Sequence, residues 1–313
     1  MKKLVFIFVT MLLLAGCTIE APIVYDPELR LVFLPEVYRH LTDEDETVYP
    51  ETQDFYVCAW SEGKEWLELS RAYSQEVVIT DTLRKTQATD VLWAFGQNVM
   101  WPSKNQPLSF SAYSPCDEQC VVSQDKGVQW STDVLQEQVD LLYSHVEVDR
   151  RGNVDGNVVH LPFSHALCQL RFRVKNRVDN TGALDPLNRP DKITINKITI
   201  DGVKHSGSFC SLPSPQWTLD DDKAPLPVFE GTYQTAGVPE PIGTAWLMVP
   251  QEFDTAITVD FCYTTFANTT ITQVIKTVPL KTRLENGRDY IYTLSVGIDD
   301  VKFLQELIED KLK

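Results

Sequence analysis

Two histidines, a serine and a cysteine fall close together in the segment VVHLPFSHALCQLRFRV, residues 158–174. His160 and His165 flank Ser164, and Cys168 follows three residues later, so the segment holds residue types that nucleophilic catalysis uses. Adjacent residues of a β-strand point to opposite faces of the sheet, however. On one strand, Ser164 and His165 could not hydrogen-bond as nucleophile and base, so the spacing disfavours a catalytic pair.

The strand that carries these residues is indicated by alternation. Val159, Leu161 and Phe163 share one parity of the sequence. The later apolar residues share the other parity: Ala166, Cys168, Leu170, Phe172 and Val174. Such alternation is typical of half-buried β-strands, and the change of phase near Ser164–Leu167 predicts a β-bulge or a sharp bend.

Other catalytic and metal-binding patterns are missing from the sequence. It contains no GxSxG, HExxH or Walker A motif, and no GxGxxG in a strand-turn-helix context. Cys116 and Cys120, in the polar segment SPCDEQC, could close a small local disulfide, but no CxxC or nearby histidine completes a metal site. We therefore expect no enzyme activity, no cofactor and no metal.

Seven tryptophans would allow a carbohydrate-stacking surface, although most lie in apolar runs where packing in the core is the commoner role. Trp66 is flanked by Lys64, Glu65 and Glu68. It is therefore the candidate for an exposed glycan-stacking side chain.

The N-terminus predicts export and lipid attachment. Lys2 and Lys3 precede a short apolar run that ends in LAGC, residues 14–17, which matches a bacterial lipobox. Residues 1–17 are thus read as a lipoprotein signal peptide with Cys17 as the lipidated first residue of the mature chain. A second acyl chain would make the anchoring stable. The mature chain is therefore expected to be held at a membrane surface by lipid, and Thr18-Ile19-Glu20 does not distinguish the periplasmic from the outer face.

Composition and pattern favour an all-β protein of about two domains. The 313 residues carry a formal net charge of −16, and such an acidic chain is not expected to bind nucleic acid. Short alternating runs bounded by Gly, Pro, Asn and Asp recur along most of the chain, as in β-sandwiches. The segment RRGNVDGN, residues 150–157, predicts a boundary between domains at 18–156 and 157–313. The acidic segment 42–54 is expected to project into solvent.

The last residues depart from this strand pattern. In VKFLQELIEDKLK, the apolar residues Val301, Leu304, Leu307, Ile308 and Leu312 recur at helical spacing. Asp299 or Asp300 could cap the N-terminus of a helix. The tail is therefore predicted to be a short amphipathic helix and not a free exchange strand.

Several segments together resemble the fimbrillin-like (Mfa-like) lipoproteins of Bacteroidales, which build or decorate type V pili. They occur in this order: LWAFGQNVMWP, LSFSAYSP, VDLLYS, VHLPFSHALCQLRFRV, AWLMVPQEFDTAITVDFCY and LENGRDYIYTLSVG. The resemblance covers about residues 29–298. It implies two transthyretin-like β-sandwich domains in tandem and partners that are other fimbrial subunits, joined by strand exchange.

The resemblance also implies how such a chain is processed. An Arg/Lys-specific protease removes the first strand in family subunits, which opens a groove for a strand of the next subunit. Here LRLVFL (29–34) is the candidate first strand and Arg39 the candidate cleavage site, with Arg71 and Arg84 also in loop-like sequence. Anchor and some accessory subunits keep their lipid and are not cut.

Thr82 and Thr255 lie in triplets that resemble Bacteroidales O-glycosylation sites, Asp81-Thr82-Leu83 and Asp254-Thr255-Ala256. Together with the lipobox, the resemblance implies a lipid-anchored fimbrial subunit at the outer membrane or cell surface, with a structural or adhesive role. The predicted helix favours a tip, anchor or accessory position over the stalk, with a host or bacterial surface molecule as a further partner. The alternative is a surface glycan-binding lipoprotein of β-sandwich type.

Overall fold

The computed structural model describes residues 30–37, 49–50, 53–81, 86–102, 107–149, 158–177, 190–265 and 269–307. Within these ranges the chain consists of β-strands joined by turns and irregular segments, without a helix. The all-β class that the alternation predicts is confirmed. The strands of the first half are β1 Val32–Val37, β2 Phe55–Ser61, β3 Lys64–Asp81, β4 Thr86–Phe95, β5 Leu108–Ser114, β6 Val121–Ser123, β7 Gly127–Asp133, β8 Leu142–Val148 and β9 Val158–His165.

The strands of the second half are β10 Cys168–Asn176, β11 Pro190–Lys204, β12 Ser206–Cys210, β13 Gln216–Leu219, β14 Lys223–Gln234, β15 Glu240–Met248, β16 Glu252–Thr265, β17 Thr270–Arg283, β18 Asp289–Val296 and β19 Val301–Leu307.

Seven strands of the first half form a sheet that closes on itself, in the order β1-β4-β3-β2-β5-β8-β9. The sheet closes because its first strand, β1, pairs with its last, β9. These two strands are parallel, whereas all other neighbouring strands of the sheet are antiparallel. Its interior holds an apolar core that includes Phe33, Phe55, Phe110, Leu161 and Phe163. Alternation along each strand sends every second side chain into this core.

The second half contains two four-stranded sheets, ordered β15-β10-β18-β19 and β14-β11-β16-β17. Strand β10 runs parallel to β18, and the other neighbours are antiparallel. Both sheets contribute to one apolar core, with Leu170, Phe172 and Tyr292 from the first and Ile198 and Phe261 from the second. The two sheets therefore bury their apolar faces against each other, as the layers of a sandwich do.

A fourth sheet, ordered β13-β12-β7-β6, joins the two halves, because β6 and β7 come from the first half and β12 and β13 from the second. On its buried side, the ring of Phe209 lies 4.9 Å from that of Tyr143 and 5.5 Å from that of Trp217. Trp217 lies 6.0 Å from Trp130 and donates its indole N–H to the carbonyl of Ala166 at 2.8 Å. We call Trp130, Tyr143, Phe209 and Trp217 the aromatic junction.

The segment 158–174 shows where the sequence phase changes. Val159, Leu161 and Phe163 are buried on β9, and the apolar residues of β10 are buried on the other parity, as predicted. Between them the chain leaves one sheet for another, since β9 pairs with β1 and β8 while β10 pairs with β15 and β18. The division into two domains at residue 156 stays a prediction, and these pairings favour a dividing point at Ala166–Leu167.

The helix predicted at the C-terminus is wrong for the described part of the tail. Val301–Leu307 is strand β19, antiparallel to β18 over its whole length. The ring of Phe303 lies 4.9 Å from that of Tyr292, whereas Leu304, which a helical stripe would bury, is 53% exposed. Residues 308–313 lie outside the described part of the chain.

The physical reason is the free edge of β18. All eight residues of this strand are buried, and its edge would leave backbone N–H and C=O groups unpaired if no strand covered it. A helix satisfies its backbone internally and could not fill those positions. A seven-residue strand pairs them and still turns alternate apolar side chains inward.

Candidate assembly site

Strand β1 occupies a gap between β9 and β4. Its six residues align with Val158–Phe163 of β9, whereas in the described residues only Phe33 aligns with β4, opposite Trp93. Pro35 has no N–H to donate, which suits a strand that is paired along one side. The bounds differ from the predicted first strand at 29–34 by three residues. Backbone pairing with β9 and side-chain burial therefore hold β1.

Phe33 is the fully buried aromatic side chain of β1. It has no exposed surface, and its ring lies 5.4–5.9 Å from those of Phe55, Phe95 and Phe110, nearly perpendicular to each. Edge-to-face contacts of this kind add to the free energy gained by burial. Without β1, these three rings would line an apolar groove open to water. We call this groove the seat of β1.

Tyr49 packs against one end of this groove, so this residue of segment 42–54 does not project into solvent as expected, while residues 42–48 and 51–52 lie outside the described part of the chain. The side chain is 1% exposed, and its ring lies 5.5 Å from that of Trp93. Its hydroxyl donates to Ser114 Oγ at 2.7 Å, and burial raises the pKa of the Tyr49 phenol, which therefore stays neutral. In the sequence, this contact is indicated only by the presence of an aromatic residue within an acidic segment.

The last described strand is likewise seated in its own molecule. Besides pairing with β18, it is held where it begins by Asp300, whose carboxylate accepts a hydrogen bond from the Arg177 guanidinium. That bond lowers the pKa of Asp300. The backbone N–H of Gly297 also donates to the Asp300 carbonyl at 2.9 Å. Both the first and the last described strands are thus paired with other strands of the same chain.

The residues of the opening segment do not form a catalytic group. His160 Nδ1 lies 2.9 Å from Glu36 Oε1 on β1, and His165 Nδ1 lies 2.8 Å from Asp140 Oδ1. Cys168 donates its thiol to the carbonyl of Met248 at 3.2 Å. Each side chain therefore ties its strand to a different neighbour, and the structural interpretation of the segment holds.

A serine–histidine pair does occur elsewhere, between β5 and β8. Ser111 Oγ lies 3.0 Å from His145 Nδ1, and burial lowers the pKa of His145. Ser111 has no exposed surface, so a substrate could not reach its hydroxyl in this structure. Among the described residues, no group of three or more His, Cys, Asp or Glu side chains is arranged to hold a metal ion.

The cysteines of the described chain are free thiols, including Cys116 and Cys120. Burial raises the pKa of Cys116 to about 11 and that of Cys120 to about 12, so both are protonated near neutral pH. A protonated thiol is a poor nucleophile in disulfide exchange. The disulfide between them stays a prediction. Of the cysteines expected to be buried in strands, Cys58 and Cys168 are buried, and Cys210 and Cys262 are half-buried.

The remaining candidate residues fall on strands. Trp66 lies in β3, half-buried against the core of the first half, so its role as a glycan-stacking side chain stays a prediction that this packing does not favour. Arg71 also lies in β3, donating from Nε and Nη2 to Asp54 at 3.1 and 2.8 Å, so its assignment to a loop is wrong. Thr255 lies in β16 and donates its hydroxyl to the carbonyl of Asp201.

Four predicted sites, Cys17, Arg39, Thr82 and Arg84, lie outside the described residues. Their roles in lipidation, cleavage and glycosylation stay predictions. In the part of the chain that the structure describes, no helix is long and apolar enough to cross a membrane.

Comparison with known proteins places this architecture in a family. The fimbrillin-like family matches residues 45–310, and the chain therefore belongs to the fimbrillin-like proteins. A search of curated proteins found no match.

Similar solved structures include a proposed cell adhesion protein of Bacteroides uniformis, with a TM-score of 0.52 and 14% identity over 90% of this chain and 98% of that one. Another is a proposed cell adhesion protein of Bacteroides ovatus, with a TM-score of 0.52 and 11% identity over 89% and 96% of the two chains. At these identities the likeness concerns the fold.

Proposed function

We propose that this protein is a cell-surface fimbrial subunit of adhesive or structural role, held at the outer membrane by lipid on Cys17. The fimbrillin-like match over residues 45–310 carries the proposal. The lipobox that ends at Cys17 supports export and anchoring. A transthyretin-like fold for both halves stays a proposal: the second half has two packed sheets, whereas the strands of the first half close into a single sheet and do not form the expected sandwich of two.

Assembly would use the seat of β1. An extended strand that replaced β1 would find backbone partners along β9 and an apolar groove lined by Phe55, Phe95 and Phe110. This is β-augmentation, in which backbone bonds give affinity and side-chain pockets give specificity. Cleavage at Arg39, two residues beyond the end of β1, would separate β1 from the rest of the chain.

We further propose a tip, anchor or accessory position instead of the stalk. The predicted helix no longer supports this position, since the tail is a strand. The support now comes from β19, which pairs with β18 over seven residues and is therefore not free to enter a neighbour. An uncut subunit would keep both the Cys17 lipid and β1, so it would anchor or end a fimbrium, whereas only a subunit cut at Arg39 could release β1 and accept a neighbour's strand.

Immunogold labelling of intact cells tests the proposed function. We expect label at the cell surface or on filaments, and co-purification with sheared fimbriae. Label confined to the periplasm, with no protein in the fimbrial fraction, would rule the proposal out.

Lipid anchoring has a separate test in Cys17→Ser. The substitution removes the thiol that accepts the diacylglyceryl group, so the protein should leave the membrane fraction after a high-salt wash, while Cys116→Ser should not. Retention of the Cys17→Ser protein in washed membranes would contradict the lipobox assignment.

A further inference from the structure

The outward face of the joining sheet, β13-β12-β7-β6, forms an open groove of about 770 Å³. This volume lies within the range of roughly 300–1,000 Å³ that is usual for small-ligand sites. We propose that this groove binds a linear, uncharged oligosaccharide that lies across the strands. The proposed fimbrial function enters only because it would present the groove to surface glycans.

Two rows of side chains cross the floor of the groove. The first row contains one residue from each of the four strands, in register: Val121, Gln129, Cys210 and Gln216. In the second, Ser131, Ser208 and Thr218 are in register on three of them. Neighbouring strands lie about 4.8 Å apart, close to the repeat of a pyranose chain. Successive sugars could therefore each meet one side chain of a row.

The chemistry of these rows is that of hydroxyl recognition. Amides and hydroxyls both donate and accept hydrogen bonds, as sugar hydroxyls do. Gln216 and Thr218 are exposed and make no side-chain hydrogen bond with the described residues, so their full capacity is available. Ser131 and Ser208 lie 2.9 Å apart and bond to each other, which orients both hydroxyls.

Charge and shape argue against other ligands. In a chain of net charge −16, the two rows carry no charged side chain, and Asp125 and Lys126 of the groove wall lie in the turn between β6 and β7. A charged glycan would lack a counter-charge within the rows. A peptide that adds to a sheet needs a free edge, whereas the floor of this groove is the face of the sheet, and its middle strands β7 and β12 are paired on both sides.

Apolar side chains of the groove suit the C–H faces of a sugar. Val121 is 67% exposed at one end of the first row, and Leu212 and Pro213 line the groove beyond β12. Trp130 and Phe209 lie on the buried parity of their strands. The aromatic residues thus belong to the junction beneath, and binding would depend on hydrogen bonds more than on ring stacking.

Purified full-length protein in detergent should be applied to an array of neutral, sialylated and sulfated oligosaccharides. The neutral oligosaccharide with the strongest signal should then be titrated by calorimetry. We expect Thr218→Arg, which fills the second row, to abolish binding, and Gln216→Ala to weaken it roughly tenfold. Thr277→Arg, an exposed threonine on β17, is the matched control and should bind as the unchanged protein does.

Circular dichroism and the thermal midpoint confirm that each variant is folded. The proposal is overturned if the folded protein binds no neutral saccharide, or binds charged glycans alone. It is also overturned if Thr218→Arg binds as well as the unchanged protein, or if Thr277→Arg loses binding equally. These readouts use isolated protein, so they are independent of whether the chain enters fimbriae.

Discussion

At the scale of single residues, the side chains that hold the two seated strands differ in chemistry. Phe33 holds β1 through three buried aromatic contacts, whereas Asp300 holds the start of β19 through an ion pair with Arg177 at the surface. Burial of Phe33 stabilises the folded protein at every pH. The ion pair contributes only while the carboxyl is ionised, so the two attachments can be told apart by experiment.

Phe33→Ala should destabilise the protein by about 3–5 kcal/mol, because it removes a fully buried ring and leaves a cavity among three others. The measurement is the free energy of unfolding in urea. Tyr73→Ala is the control: Tyr73 is 43% exposed, and its loss should cost no more than about 1 kcal/mol. Equal losses in the two variants would show that β1 is not seated as described.

Asp300→Asn tests the attachment of β19 through pH. The Arg177 bond lowers the pKa of Asp300 in the folded protein, so the folded state binds fewer protons there than the unfolded state. The stabilisation is therefore present above the ordinary pKa of about 3.9 and is lost as the pH falls below it. The thermal midpoints of the two proteins should differ at pH 6 and converge below about pH 4. A constant difference would contradict this attachment.

At the scale of elements, the tail shows where sequence patterns stop being decisive. Val301, Leu304 and Leu307 have helical spacing, but Val301, Phe303 and Leu307 also have the alternation of a strand. Seven residues cannot distinguish these patterns, and the deciding factor is the open edge of β18. That edge exists only once β18 has paired with β10, whose residues lie 120 positions earlier in the chain than their partners in β18.

The change of phase in residues 158–174 is also only partly explained by the sequence pattern. The sequence predicts both strands and their buried residues, since alternation reflects burial directly. A bulge and a change of sheet both shift the parity by one residue, so the sequence cannot tell them apart. The rows of the groove were also hidden, because Gln129 and Gln216 become neighbours of Cys210 only through the pairing of β7, β12 and β13.

Phe303→Asp and Leu304→Asp form a matched pair that distinguishes strand from helix. On the strand, Phe303 faces Tyr292 and Leu304 faces solvent. Phe303→Asp should therefore lower the free energy of unfolding by about 2 kcal/mol or more, and Leu304→Asp should change it by no more than about 0.5 kcal/mol. Urea denaturation measures both. The reverse order would restore the helical stripe that contains Leu304.

At the scale of the whole molecule, the joining sheet links the stability of one half to that of the other. Its strands come from both halves, and the aromatic junction beneath it is continuous with the core of the second half. His205 Nδ1 adds a contact to Asp133 Oδ1 at 2.8 Å across the same boundary. We therefore expect the two halves to unfold together.

Phe209→Ala should separate the unfolding of the two halves. Phe209 is 2% exposed and contacts Tyr143 of the first half and Trp217 of the second, so its removal opens a cavity worth about 3–5 kcal/mol at the junction. Differential scanning calorimetry should show one transition for the unchanged protein and two for the variant. Phe229→Ala removes a ring that packs against Tyr233 in β14, and should lower the single transition without splitting it. Two transitions in the unchanged protein would mean that the junction does not couple the halves. A single transition in Phe209→Ala would mean that contacts other than those of Phe209 couple them.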